Sequence, residues 1–572
     1  MTEGTQTKRK VVVLGWDGAV FELALRWARE GRLPALAGML ERGAHGRMKS
    51  TIPPVSAPAW ASFVTGSNPG RHGIYYFKEH IPGTYESRLV CGADRRGKPL
   101  WRMLNEQGRT AGIVNLVMTY PPEPLDGFMI SGMDTPGEDS AYTYPPELKE
   151  ELLRRLGEYI IEPTLEEEAR TYRYDALWDK IERHLENQIA AARYLLEHKE
   201  WDVFAINFRA TDSVQHHFWK FMEPAHPQYD PAGAARYGDR ILRVYQRLDE
   251  FAAEVRRLLS PEDVLIVMSD HGFGPTSDKV IYLNNWLAEQ GWLRFRRQAA
   301  VSPGTAGIGG LLWRTAWERL RQMVPQRVKT ALERLAPRWY GRIRYPAAFF
   351  FIDWEHTLAY ADEYQESIWI NLAGREPQGT VQPGAEYENL RRQILERLHE
   401  WKDPLIGEPV IEYAGRREEI YHGTELERAP DIVLIPRQDP YYRVRPSHTS
   451  PGPVSVHTMS HQELQREYLP NGTHRLYGML FAEGPGIAAG RVIEGAEIVD
   501  LAPTILHLAG CAVPRGLDGQ VLEELFETPP AVRYFEDVEA GETPAGGDIG
   551  DMYDEEERTI LEERLRGLGY LD

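Results

Sequence analysis

Three aspartates, three histidines and one serine are the residues of this 572-residue chain whose types and spacing could do chemistry. Asp17 closes the run "VVVLGWDG". Asp212 and His216 lie four apart in "FAINFRATDSVQHH", a spacing that puts both on one helical face. Asp270 and His271 adjoin in "VLIVMSDHGF", and His474 sits in "NGTHRLYGMLFAEGPG". Ser56 stands where the proline-rich loop of "STIPPVSAPAWASFVTGSNPGRHGI" turns into an apolar helix.

Singly, each has an ordinary explanation. An aspartate after a strand caps the next helix, an Asp/His pair four apart is a surface pair, and "SDHG" is a turn with an Asx hydrogen bond. A serine at a helix start is a cap. Together they offer carboxylate oxygens and imidazole nitrogens, donors that suit zinc, and manganese less specifically. Six such ligands are too many for one tetrahedral zinc with an open position. They match two ions with three protein ligands each. Ser56 would then stand where helix N–H groups and the helix dipole favour a phosphate, with Pro58 in the first turn, where a missing N–H costs nothing.

The elements that must position these residues are short apolar runs rich in Val and Ile. We expect buried strands at 10–16, 111–118, 202–208, 263–270, 431–436 and 476–484, with helices between them at 35–43, 99–108 and 240–259. Alternation of this kind predicts an α/β fold, a mainly parallel sheet sandwiched by helices. Its ligands bind beyond the carboxyl ends of the strands, and Asp17, Asp212 and Asp270 all follow strands.

The expected organisation is a catalytic core of 8–135, 201–290 and 356–529. It is interrupted by a helical cap at 136–200, with "PPELKEELLRRLGEY" as its clearest helix start, and by a basic amphipathic helical insertion at 291–355. Residues 530–572 read as an acidic Gly/Pro-rich linker and a C-terminal helix whose acids crowd its start and arginines its end.

Composition narrows the function classes. A net charge of -19 argues against broad nucleic-acid binding. Two cysteines, Cys91 and Cys511, make neither a disulfide framework nor a cysteine-based zinc site. No stretch approaches 18 uncharged apolar residues, and "MTEGTQTKRKVVVLGWDG" lacks the apolar segment of a signal peptide. A cytoplasmic protein is expected.

The pieces "GWDG", "PPVSAPAWASFVTGSNPGRHGI", "TDSVQHH", "MSDHGF", "GTHRLYG" and "EIVDLAPTILHLAG" resemble, in order and spacing, the alkaline phosphatase superfamily. Within it they resemble the type I phosphodiesterase/nucleotide pyrophosphatase family. The resemblance runs from residue 15 to about residue 510 and implies one metal held by Asp212, His216 and His474. It implies a second held by Asp17, Asp270 and His271, with the Ser56 oxygen completing that shell. Ser56 is then the nucleophile of an in-line displacement at phosphorus through a phosphoryl-serine intermediate. The implied cofactors are two divalent ions, zinc or else manganese, and the implied substrate is a small phosphodiester or nucleotide-like molecule.

The chain departs from its relatives at three points. The family's nucleotide pyrophosphatases carry an asparagine donor three residues after the nucleophile, where this chain has Ala59. Asn68 and Arg71 lie nearby, with a helix C-cap and a surface arginine as their plain reading. Sulfatases of the superfamily need an arginine where Trp60 stands. Alkaline phosphatases place an arginine directly after the nucleophile, to bind a doubly charged monoester, where this chain has Ala57. Diester cleavage is favoured. The alternatives are a monoesterase or phosphomutase on the same scaffold, or a non-catalytic protein that binds a partner or a membrane surface. Residues 311–345 raise a separate expectation: eight Arg and one Lys against two Glu give +7 on an apolar helical pattern containing Trp313 and Trp317. Such a segment is either a lid over the site or a surface that meets anionic lipid.

Overall fold

The computed structural model describes residues 9–296, 352–362, 366–445, 454–466, 469–536, 552–568 and 570. The basic segment 311–345, and with it the choice between a lid and a lipid surface, lies outside the described residues.

Among the described residues, nine strands form the central sheet. In spatial order they are Arg491–Glu497, Ala44–Lys49, Tyr477–Glu483, Val264–Met268, Val11–Trp16, Val203–Phe208, Ala111–Leu116, Gly127–Ser131 and Thr143–Tyr144. The middle of the sheet is parallel. Val11–Trp16 pairs with Val203–Phe208 on one side and Val264–Met268 on the other, with Gly15 level with both Asn207 and Met268. Because these three strands end at one level, the residues after them, Asp17, Arg209 and Ser269–Asp270, emerge side by side.

Alternate residues of these strands point to opposite faces. Val11, Val13, Ala205 and Ile266 join a core with Trp60, Trp101 and Leu501. Val12, Leu14, Phe204 and Val267 join another with Ile181, Val244 and Phe251. Both faces are buried, as a parallel sheet requires, and the strand residues Val11–Leu14 are at most 1% exposed. The helix Tyr174–His198, inside the expected cap region, lies in this second core beside Ala210–Met222 and Arg240–Leu258.

Three features differ from the expected pattern. Tyr477–Glu483 runs antiparallel to both its neighbours. Ala44–Lys49 is a strand although "AHGRMK" has no apolar run, because pairing on both sides supplies what periodicity lacks. Ile432–Pro436 is a buried strand, but of a separate four-stranded sheet with Ala359–Tyr360, Ser367–Ile370 and Ile411–Arg416. Apolar runs alone cannot say which sheet a strand joins.

The antiparallel strand has a consequence for the site. Its first residue, Tyr477, pairs with Lys49. The residues before it, including His474, and those after Lys49, leading to Ser56, therefore reach the same edge as Asp17 and Asp270.

Candidate active site

Each candidate side chain is held by its local element. Ser56 opens the helix Ser56–Thr65, every residue of which is buried. Trp60 on that helix packs under the strand Val11–Trp16, where a Cβ added at Gly15 would stand 2.6 Å from the Trp60 ring. Glycine there lets helix and strand close up. Gly18, with φ +63, turns the chain after Asp17, and its Cβ would meet the His271 ring at 3.1 Å. His474 lies in the short strand Gly472–Arg475, paired with Gly272–Pro275 so that Phe273 faces His474. Asn471 ties this ribbon to the helix Ala210–Met222. Its backbone N–H donates to His216 O at 2.8 Å, its side chain donates to His217 O at 2.9 Å, and it accepts from Lys220 N at 3.0 Å.

The result is two clusters. Asp212, His216 and His474 bring one ligand atom each within 4.8 Å of one another, and so do Asp17, Asp270 and His271. In the first, Asp212 Oδ1 faces His216 Nε2 and His474 Nε2, each at 3.4 Å. In the second, His271 Nε2 lies 3.4 Å from Asp270 Oδ2 and 3.7 Å from Asp17 Oδ1. Ser56 Oγ sits against the second cluster, 3.1 Å from His271 Nε2 and 3.3 Å from Asp17 Oδ1.

The donor set fits two cations. His216 Nδ1 lies 3.0 Å from Gly472 O, and His271 Nδ1 lies 3.0 Å from Gly272 O. A carbonyl only accepts, so each Nδ1 carries the proton and each Nε2 turns a lone pair inward, the arrangement that orients metal-binding histidines. Asp212 Oδ1 and Asp270 Oδ2 are buried and make no hydrogen bond among the described residues. Buried carboxylate oxygens left in this way are costly unless a cation meets them.

Three residues without a legible sequence signal share the site. Arg209, 1% exposed, joins the clusters. Its Nη1 lies 2.7 Å from Asp17 Oδ1 and its Nη2 donates to Asp212 Oδ2 at 2.9 Å. Its position between a strand and a helix in "NFRATD" looks like any loop arginine. Tyr570, near the chain terminus, places its hydroxyl 2.8 Å from Ser56 Oγ. Asn207, the inward residue of its strand, donates to Asp17 Oδ2 at 2.7 Å. Asn68 and Arg71 turn elsewhere. Asn68 caps the short turn Pro69–His72, and Arg71 pairs with Asp518, while Gly66 is the left-handed residue that ends the Ser56 helix.

The electrostatics are those of charge packed out of water. Burial pushes the Asp270 carboxyl up to about 6, with Asp17 adding to the shift. Burial disfavours the Asp212 carboxylate too, but Arg209 and then His216 outweigh it and hold it well below the usual range. Burial lowers His271, but Asp270 and Asp17 outweigh it and raise the imidazole overall. Burial and the neighbouring His271 push His474 well down. Burial opposes the Arg209 charge, yet Asp17 and Asp212 keep its proton more firmly than in a free arginine.

The profile of the type I phosphodiesterase/nucleotide pyrophosphatase family matches residues 11–474, most of the chain. The chain belongs to that family. It is therefore a member of a metal-dependent family of phosphodiesterase and pyrophosphatase-type hydrolases. Its architecture resembles that of phosphonoacetate hydrolase from Sinorhizobium meliloti 1021, solved with phosphonoformate. The TM-score is 0.50 at 16% identity over 88% of this chain and 96% of that one. Human ectonucleotide pyrophosphatase/phosphodiesterase 5 aligns at a TM-score of 0.45 and 12% identity over 91% of this chain and all of that one. No curated protein matches the chain in sequence. The fold is thus the alkaline phosphatase-like mixed α/β type expected from the sequence. No helix among the described residues is long and apolar enough to cross a membrane.

Proposed function

We propose that the chain is a two-metal phosphodiesterase in which Ser56 is the nucleophile. The observation that carries the reading is the place of Ser56 Oγ, 3.1 Å from His271 Nε2 and 3.3 Å from Asp17 Oδ1, at the start of a buried helix. Asp17, Asp270 and His271 would hold one divalent ion, and Asp212, His216 and His474 the other, with zinc the best match to the mixed N/O donors. When bound, such ions lower the pKa of an adjacent hydroxyl and neutralise charge at phosphorus.

The chain's own residues do the rest. Pro58 has no N–H, and Ala59 N–H donates to Val55 O at 3.1 Å. The N–H groups of Ser56 and Ala57 are left to face a non-bridging oxygen. Ser56 Oγ loses its proton to solvent and forms a bond to phosphorus as the bond to the leaving alcohol breaks. That alcohol takes a proton from solvent. Water then cleaves the Ser56–phosphorus bond, releasing a phosphomonoester and restoring the serine.

Two features support reading the substrate as a diester. A monoester carries one more negative charge, and the residue after the nucleophile is Ala57 rather than a cation. Arg209 is ion-paired with Asp17 and Asp212, which offset its charge. The test is turnover of bis(p-nitrophenyl) phosphate against p-nitrophenyl phosphate by the metal-loaded protein. Ser56→Ala should keep the fold and the metals, and should lose diester turnover by about three orders of magnitude or more. Faster monoester than diester turnover would refute the diester assignment. Near-native activity of Ser56→Ala would refute the nucleophile.

A further inference from the structure

The C-terminal helix, Glu555–Gly567, is fastened to the core. Asp554 caps its start, accepting from Glu556 N and Glu557 N, while the Glu557 side chain accepts from Asp554 N. Arg564, 8% exposed, donates to Met133 O and Thr135 O at 2.5 and 2.7 Å. Tyr553 OH donates to Asp134 O at 2.7 Å, and Lys78 pairs with Glu562 at 2.7 Å. Leu561, Leu565, Leu568 and Tyr570 are buried in the same core as Trp60 of the Ser56 helix. A segment held by a buried guanidinium, a salt bridge and several buried apolar side chains is part of the wall of the site, not a plug that swings free.

This wall delivers one polar atom to the nucleophile. Tyr570 is 3% exposed. Its ring packs edge-on against Phe77, with centroids 4.7 Å apart, and lies 4.8 Å from the His474 ring. Its carbonyl accepts from Tyr76 OH at 2.9 Å, and its N–H donates to Leu565 O at 2.9 Å. Its hydroxyl then lies 2.8 Å from Ser56 Oγ. The first turn of the Ser56 helix offers no side-chain donor of its own, since Ala57, Pro58 and Ala59 follow the serine.

We propose that Tyr570 is a catalytic residue. Its phenolic O–H donates a hydrogen bond to a non-bridging oxygen of the phosphoryl group as Ser56 Oγ attacks. The inference rests on the phosphodiesterase reading and deepens it. Tyr570 keeps its proton throughout. The bonds that form and break are those of the Ser56 displacement, and the phenol only stabilises charge gathering on the oxygen. Substrate would enter past His474, the one metal-cluster residue with a partly exposed side chain, at 11%.

The test uses the full-length, zinc-loaded protein and Tyr570→Phe, which keeps the ring and its packing. Diester kcat should fall about 100-fold, as on removing one oxyanion donor, with KM, metal content and melting temperature little changed. Affinity for orthovanadate, read by calorimetry, should fall at least about tenfold. A Tyr570→Phe protein that matches or exceeds the native kcat and vanadate affinity would overturn the proposal and leave Tyr570 as mere packing. If even the native protein turns over no diester, the phosphodiesterase reading fails by itself. The vanadate titration then still decides the donor: a tenfold loss in Tyr570→Phe keeps it, and equal affinity removes it.

Discussion

The two metal-type clusters are assembled in different ways. Asp17, Asp270 and His271 come from the ends of two adjacent parallel strands, in a register shared along five residue pairs. Their spacing is set by sheet hydrogen bonding, and all three are completely buried. Asp212 and His216 share one turn of helix, but His474 arrives from 258 residues further on, on a two-stranded ribbon, with its side chain 11% exposed. The first cluster inherits the rigidity of the sheet. The second depends on Asn471 and on ribbon pairing to bring its third member in. The strand-end cluster should therefore survive damage to the other, and the helix-and-ribbon cluster should be the weaker site.

The largest expected effect separates the two outright. His474→Ala should leave close to one metal ion per chain where the native protein is expected to bind two, because Asp17, Asp270 and His271 are untouched. Diester turnover should fall at least about 100-fold, since a two-metal displacement loses half its charge stabilisation. Elemental analysis that still finds two tightly bound ions, or none at all, would break the comparison.

A smaller effect comes from the support of the ribbon. Asn471→Ala removes two side-chain hydrogen bonds between the ribbon and the helix Ala210–Met222. Each is worth about 1 kcal/mol. Loss of the orienting contact should weaken the ion at the Asp212 cluster about tenfold, in the range seen when a residue behind a metal ligand is changed. Competition with a chelator measures both ions in one experiment. Equal weakening of the two would show that the clusters are not independently supported.

An effect on stability alone, with none expected on the metals, concerns the helix that carries Ser56 and contrasts its anchor with both clusters. His72 is completely buried. Ile74 N donates to its Nδ1 at 3.1 Å, so its Nε2–H donates to Ser62 Oγ on the Ser56 helix at 2.9 Å. Burial, with help from Arg95 and Arg428, pushes the imidazole down to about 3. The unfolded chain takes up a proton near pH 6.5 and the folded one does not. The stabilisation is therefore complete above pH 6.5 and is lost as pH falls toward 3. Between pH 7 and pH 5 the loss is about 2 kcal/mol. In His72→Gln this slope should vanish, so the stability gap between native and variant proteins should narrow by that amount at pH 5. Urea unfolding at the two pH values checks it, and a constant gap would mean that His72 is protonated in the fold.

What the chain's residues determined by themselves was the chemistry and the outline of its frame. Runs such as "VVVLGW" and "VLIVM" are apolar throughout and short, as suits a strand buried on both faces, so Asp17 and Asp270 could be placed at strand ends from local pattern alone. The i, i+4 spacing of Asp212 and His216 is likewise local. Tertiary structure decided whatever depends on partners distant in sequence. Nothing in "AHGRMK" marks a strand, because Ala44–Lys49 owes its form to neighbours on both sides. The reversed direction of Tyr477–Glu483, which puts His474 and Ser56 on one edge, is a matter of topology and leaves no trace in periodicity. Arg209 looks like a loop cation until Asp17 and Asp212 close on it. Tyr570, 514 residues from Ser56, reaches the nucleophile only through the packing of the last helix on the core. Local physics chooses elements and the residues at their ends. Contacts between distant segments depend on burial and register, which no single stretch of sequence contains.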